Sequence, residues 1–213
     1  MGQINLYQYT VSPFTEKVRR VLTYKNLKWN PIECHYEDKT NLLKVTDGKW
    51  TRVPVLEWDG QVVFNSVDII KWLDQKVAQP TVFPDNSRGL CEIVDHWADN
   101  TLFMPILVLT IPDLLDNAGD AQLKANREKL IGMSTAQMRE RHGPAREQLA
   151  SFCKLIDTQL AGKDFFLGNG KFSLADASLY HPFFFLTLSP GNFQLISEYP
   201  NLKKWHERIR DLS

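Results

Sequence analysis

The spacing of apolar residues changes once along this chain, at the proline-marked segment Gln79-Pro80-Thr81-Val82-Phe83-Pro84-Asp85-Asn86. Before it, strand-like alternation and helical spacing take turns; after it, every long segment is helical in pattern. A chain of this kind must build an α/β unit followed by an all-α unit. The expected boundaries are 1–79, a linker at 80–86, and 87–213.

In the first unit, Gln3 to Tyr9 reads as a strand, and Ser12-Pro13 opens a helix with apolar residues at Phe14, Val18, Val21 and Leu22. Trp29 to Cys34 is a second strand, and the polar segment Asp38 to Trp50 is a short irregular helix and loop. Two alternating strands between Val53 and Phe64 flank Asp59-Gly60, the pair that favours a type I′ turn. Ser66 to Val77 then carries Val67, Ile69, Ile70, Leu73 and Val77 at helical spacing. Strands joined through a helix run parallel and hairpin strands antiparallel, so the four-stranded sheet is mixed. The second unit reads as helices from Ser87 to about Leu115, Ala121 to Arg141, Gly143-Pro144 to Leu160, and Ser173 to about Leu188, with a last one after Pro200. Pro105 and Pro112 are expected to kink or break the first of these.

Charge narrows the function. The 25 basic and 25 acidic residues cancel, with no long block of one sign, whereas a nucleic-acid surface shows a basic excess. Cys34, Cys91 and Cys153 lie far apart with no metal-ligand spacing and read as free thiols in a reducing compartment. The opening is too polar for a secretory signal, and no run approaches the ~20 apolar residues of a membrane span, the richest being Leu179 to Leu188. The expectation is a cytoplasmic protein with small-molecule partners, no metal, no nucleic acid and no membrane.

Four short motifs carry possible chemistry. Ser12-Pro13-Phe14 stands at a strand-to-helix junction, where free N–H groups and the helix dipole favour negative charge; Ser12 also suits a plain N-cap. In Arg52-Val53-Pro54-Val55 a proline opens a strand; a cis bond there would present the Val53 backbone to an extended peptide, and a trans proline would simply start an edge strand. Asn65-Ser66 follows the hairpin, with Ser66 placed as an N-cap or as a carboxylate site. Ser173-Leu174-Ala175-Asp176 reads as a structural capping box.

Together, in this order, these motifs resemble the glutathione transferase superfamily. The stretch Leu6 to Leu22 is similar to the glutaredoxin and omega-class segment in which Cys-Pro-Phe follows the first strand, and Val53-Pro54, Asn65-Ser66 and Ser173 to Asp176 match the family's cis-proline strand, acid-serine pair and capping motif. The resemblance implies a thioredoxin-like N-terminal domain, an all-helical C-terminal domain, glutathione as co-substrate, a homodimer, and a detoxification role in which thiol is transferred to a hydrophobic, aromatic electrophile. Two departures stand out: Ser12 replaces the nucleophilic cysteine, and Asn65 replaces Glu or Gln. A serine cannot exchange disulfides but can donate a hydrogen bond to a glutathione thiolate, so the implied chemistry is conjugation. By the same resemblance Val53, Pro54, Asn65 and Ser66 hold glutathione, and Arg52 or Lys49 faces its glycyl carboxylate. Tyr7 and Tyr9 are alternative thiol-activating hydroxyls, Phe14 adjoins the site, and Trp97, Phe103, Met104 and Leu107 line the electrophile pocket. The other reading left open is a glutathione-binding carrier or scaffold without turnover.

Overall fold

The computed structural model describes residues 2–189 and 191–212. Its first unit runs β1 (Ile4–Gln8), α1 (Pro13–Tyr24), β2 (Trp29–Glu33), α2 (Thr40–Val45), β3 (Val55–Trp58), β4 (Gln61–Phe64) and α3 (Ser66–Lys76). The strands form one mixed sheet in the order β2-β1-β3-β4, with β1 and β2 parallel and the other pairs antiparallel. Asp59 and Gly60 both take positive φ, 51° and 74°, the geometry a tight type I′ turn requires. Because side chains alternate across the sheet, Ile4, Leu6, Leu56 and Trp58 join α1 and α3 in the main core. The opposite face, with Tyr7, Tyr9, Val55 and Phe64, meets Cys34 and Leu42 in a smaller cluster. All three cysteines are buried and unpaired.

The second unit opens with α4 (Arg88–Trp97), a π turn at Ala98–Leu102 and α5 (Phe103–Ala118), one unbroken helical run. The expected breaks at Pro105 and Pro112 do not occur. Pro105 follows the widened π turn, where the regular i to i−4 ladder is already interrupted. Pro112 removes the donor for the Val108 carbonyl, and His142 Nε2 fills the gap at 3.2 Å. The run 88–118 also has the length and composition to cross a membrane, contrary to the expectation that no segment would; 61% of its apolar window is buried, as in a core helix. Next come α6 (Ala121–Ile131), α7 (Thr135–Glu140), α8 (His142–Leu160), α9 (Leu174–Thr187), α10 (Gln194–Ser197) and α11 (Pro200–Arg210). The single helix expected over 121–141 is two, since Gly132 leaves the helix at φ 75° and Ser134 starts α7 with a capping box closed by Gln137.

The segment at 80–86 packs firmly. Val82 and Phe83 are buried, and a second cis peptide, Gln79-Pro80, accompanies the one at Val53-Pro54. Buried Lys25 donates to Asp74 (2.7 Å) and to the carbonyls of Val77 (2.8 Å) and Pro80 (2.7 Å). The units also share charge: fully buried Lys17 of α1 pairs with Asp95 and, at 3.0 Å, with Asp99. Ser178 Oγ donates to Asp95 at 2.7 Å, satisfying the same carboxylate from α9.

His206 of α11 is almost wholly enclosed, with ring centroids 4.9 Å from Tyr180 and 6.1 Å from Phe193 and no partner for either nitrogen among the described residues. Burial, reinforced by Arg210, pushes its pKa down to about 4. The unfolded chain takes up this proton near pH 6.5 and the folded one only near 4, so the unfolded state binds more protons in between and stability falls as pH drops through that window. His206→Phe is expected to flatten the acid side of the stability profile relative to wild type, by on the order of 2 kcal/mol. Urea denaturation of both proteins between pH 7 and pH 4.5 checks this; parallel profiles would refute the assignment.

Candidate functional site

The strand register decides which residues meet. Tyr7 pairs with Val55 and Val55 with Phe64, so the loop leaving β1, the residues entering β3 and those leaving β4 lie at one edge of three adjacent strands. Strands are about 4.8 Å apart, which places the Ser12 loop, Val53 and Asn65-Ser66 at the same end of the sheet.

The loop at 9–12 is held from several sides. Glu33 accepts from the Thr10 backbone (2.7 Å) and hydroxyl (3.0 Å), Arg19 donates to the Thr10 carbonyl (2.7 Å), and Ser12 N–H donates to the Tyr9 carbonyl (3.0 Å). Ser12 then caps α1 in extended backbone geometry, its Oγ accepting from Thr15 N–H at 3.2 Å. The cap uses only an oxygen lone pair. The hydroxyl proton has no acceptor among the described residues and is free to be donated to a ligand. Capping and ligand activation are therefore compatible roles of one side chain.

At the other strands, Val53 lies outside the ladder, which ends at Val55, so its backbone polar groups are free of sheet pairing. The Val53-Pro54 bond is cis. The N-cap of α3 is Asn65, with φ 72° and ψ 128°, one position earlier than the sequence reading placed it, and Ser66 is the first helical residue. Asn65 does not cap with its amide, which donates to Asp68 Oδ2 at 3.1 Å, and the opening N–H groups of α3 remain without a side-chain acceptor.

The tyrosines face elsewhere. Tyr7 donates to Glu57 at 3.1 Å, and burial followed by the Glu57 charge raises its pKa. Tyr9 accepts from Lys39 Nζ at 2.8 Å, and burial, then Cys34, pushes its pKa up to about 12. Arg52 and Lys49 are both exposed, without an ion pair among the described residues.

Of the residues assigned to the second pocket, Phe103 is the one brought to Ser12's neighbour: its ring lies 5.6 Å from that of Phe14, and His181 lies 5.0 Å from Phe14. Leu107 packs against the core, Met104 is 50% exposed, and Trp97 turns to α8, meeting Phe152 edge-on at 5.2 Å. Sequence reasoning missed Asp68, which lies on the Asn65 amide, and Lys39, which lies on the Tyr9 hydroxyl. Asp68 sat in plain view three residues beyond Asn65, a spacing at which helix-start side chains meet; Lys39 carried no local signal.

Models of two protein families match the chain: "Glutathione S-transferase, N-terminal domain" over residues 6–81 and "Glutathione S-transferase, C-terminal domain" over residues 95–208. A probable glutathione S-transferase from Nicotiana tabacum is 25% identical, the match covering 100% of this chain and 86% of the relative. Glutathione S-transferase U6 from Arabidopsis thaliana is 22% identical, over 99% and 86% of the two chains. Among solved structures, glutathione transferase GSTFuA2 from Phanerochaete chrysosporium superposes with TM-score 0.84 at 22% identity, covering 100% and 98%. The Ceriporiopsis subvermispora glutathione S-transferase CsGST63524, solved in complex with glutathione, gives TM-score 0.79 at 19% identity, covering 98% and 95%.

Proposed function

From its place in the glutathione S-transferase family, to which the chain belongs, we propose that Ser12 activates bound glutathione for attack on a hydrophobic, aromatic electrophile. The chain is a glutathione S-transferase with glutathione as co-substrate. The observation that carries the reading of Ser12 is its unspent hydroxyl proton at the start of α1, beside the free Val53 backbone and the uncapped start of α3.

In this reading the Ser12 O–H donates to the glutathione sulfur, and with the helix dipole it favours thiolate over thiol. The thiol proton leaves to solvent. The thiolate forms a sulfur–carbon bond to the electrophile as the leaving group departs with its bonding electrons. Val53 pairs its backbone with the cysteinyl unit, and the start of α3 takes the γ-glutamyl carboxylate. Asp68, joined to Asn65, supplies the negative charge that Asn65 lacks for the ligand's ammonium. Phe14 and Phe103 form the wall nearest the sulfur, and Tyr7 is set aside because its proton is committed to Glu57. Retention on immobilised glutathione together with an aryl-halide conjugation assay tests the whole. Both are expected; retention without turnover on several electrophiles would overturn the catalytic reading.

A homodimer is proposed on separate grounds. Leu90 (50% exposed) and Ile93 (68%) on α4 and Leu155 (65%) on α8 are exposed apolar side chains on the two helices that the Trp97–Phe152 contact joins. Ile93→Glu is expected to convert dimer to monomer in light scattering at micromolar protein. A wild-type monomer would refute the dimer.

A further inference from the structure

The junction of the two units holds a buried imidazole with unspent hydrogen-bonding capacity. His181 of α9 is fully buried, and neither ring nitrogen makes a hydrogen bond of good geometry among the described residues. Three elements meet around it. From α1 the Phe14 ring lies 5.0 Å away, centroid to centroid, and from the start of α5 the Phe103 ring lies 5.9 Å away. From the π turn between α4 and α5, Asp99 Oδ1 stands 3.4 Å from Nε2. Asp99 is itself fixed, since fully buried Lys17 of α1 donates to both its oxygens, at 3.0 and 3.3 Å. Burial, then the Lys17 charge, keeps the imidazole pKa well below its ordinary value, so the ring is neutral and carries a single N–H.

Leaving that donor unmet in the interior costs stability, and a leucine of similar size would carry no such cost. The arrangement therefore needs a reason other than packing. Its position supplies one. The ring lies against both aromatic residues of the electrophile wall, one from each unit, and those two meet each other at 5.6 Å. Nε2 sits at the outer limit of hydrogen-bond distance from a carboxylate that Lys17 holds in place. A ring shift of about half an ångström completes that bond, and hydrogen bonds that serve a reacting site commonly tighten once substrate is in place. The π turn carries Asp99 and leads directly into Phe103, so one local widening of the helix supplies both the tether and a wall residue. Such turns occur frequently at functional sites.

We propose that His181 is a positioning residue for conjugation: tethered by Asp99, its ring fixes the Phe14–Phe103 pair against which the electrophile is held. The inference rests on the reading of those two rings as the electrophile's wall, and it leaves the roles of Ser12 and the glutathione contacts unchanged.

Steady-state conjugation of glutathione to chlorodinitrobenzene, with both substrates varied, tests this beside thermal melts of His181→Leu, Asp99→Ala and Phe103→Ala. His181→Leu is expected to raise the KM for the aryl halide roughly five-fold or more, while the KM for glutathione stays at its wild-type value and the melting temperature does not fall. A side chain that only filled space would not separate these quantities. Asp99→Ala changes a partly exposed residue and leaves Lys17 paired with Asp95. It is expected to raise the same KM with His181 intact, and it decides the matter if the leucine variant melts low. An aryl-halide KM within about two-fold of wild type in both variants, or one that rises only together with the glutathione KM, would overturn the proposal. Phe103→Ala tells two failures apart. If it alone raises the aryl-halide KM, the wall stands and His181 has no part in it; if it too is silent, the wall reading falls and the tether with it.

Discussion

Ser12→Ala is expected to lower conjugation turnover at neutral pH by roughly 30-fold, and Ser12→Asp by more, while only the alanine variant loses fold stability. The reasoning rests on the two ends of one hydroxyl. As an acceptor, Oγ caps α1 through Thr15 N–H, a contact whose loss costs about 1 kcal/mol. As a donor to a thiolate, the same group supplies a charged hydrogen bond of about 2 kcal/mol, which is the factor quoted. Aspartate keeps the cap, but at neutral pH it has no proton to give and repels the thiolate. Threonine keeps both functions and is expected to restore most of the activity. Steady-state kinetics beside thermal melts of the three variants check this, and an alanine variant with wild-type turnover would refute it.

Asp176→Ala is expected to be the most damaging single change to stability, lowering it by about 4 kcal/mol and the melting temperature by ~10 °C. Asp176 is fully buried, and burial raises its carboxyl pKa. Four hydrogen bonds work the other way. Oδ1 accepts from Phe166 N–H (2.7 Å) and Trp205 Nε1 (2.9 Å), and Oδ2 from the Ser173 backbone N–H (3.0 Å) and hydroxyl (2.7 Å). Truncation strands all four donors in the interior, which costs more than the bonds contribute on balance. Asp176→Asn keeps one acceptor oxygen and is expected to lose about half as much. The carboxylate ties the start of α9 to α11 and the loop at 166, so per folded molecule conjugation is expected to stay at wild-type level. A fall of less than 2 °C for the alanine variant would contradict this role.

What could be read from the sequence was local. Asp59-Gly60, the Ser173 to Asp176 box, Ser12 ahead of Pro13 and the period change near Pro80 are each decided within a few residues, and the mixed sheet followed from them. Features set by distant contacts were hidden. Pro112 looked like a break because its compensation, His142 on the Val108 carbonyl, comes from 30 residues later in the chain. Trp97 was assigned to the pocket through the resemblance alone, and Phe152 on another helix decides where it points. The cap of α3 shifted by one residue because Asn65 adopts a positive φ that the hairpin exit imposes and no spacing pattern reveals.

The central claim is that one serine hydroxyl holds the glutathione sulfur as thiolate. Ultraviolet difference titration of the thiolate band of glutathione bound to wild type and to Ser12→Asp measures that state itself. The account predicts a wild-type complex already ionised at neutral pH, with a thiol pKa one to two units below that of the variant, each unit corresponding to ~1.4 kcal/mol. A bound thiol that titrates identically in both proteins would contradict it.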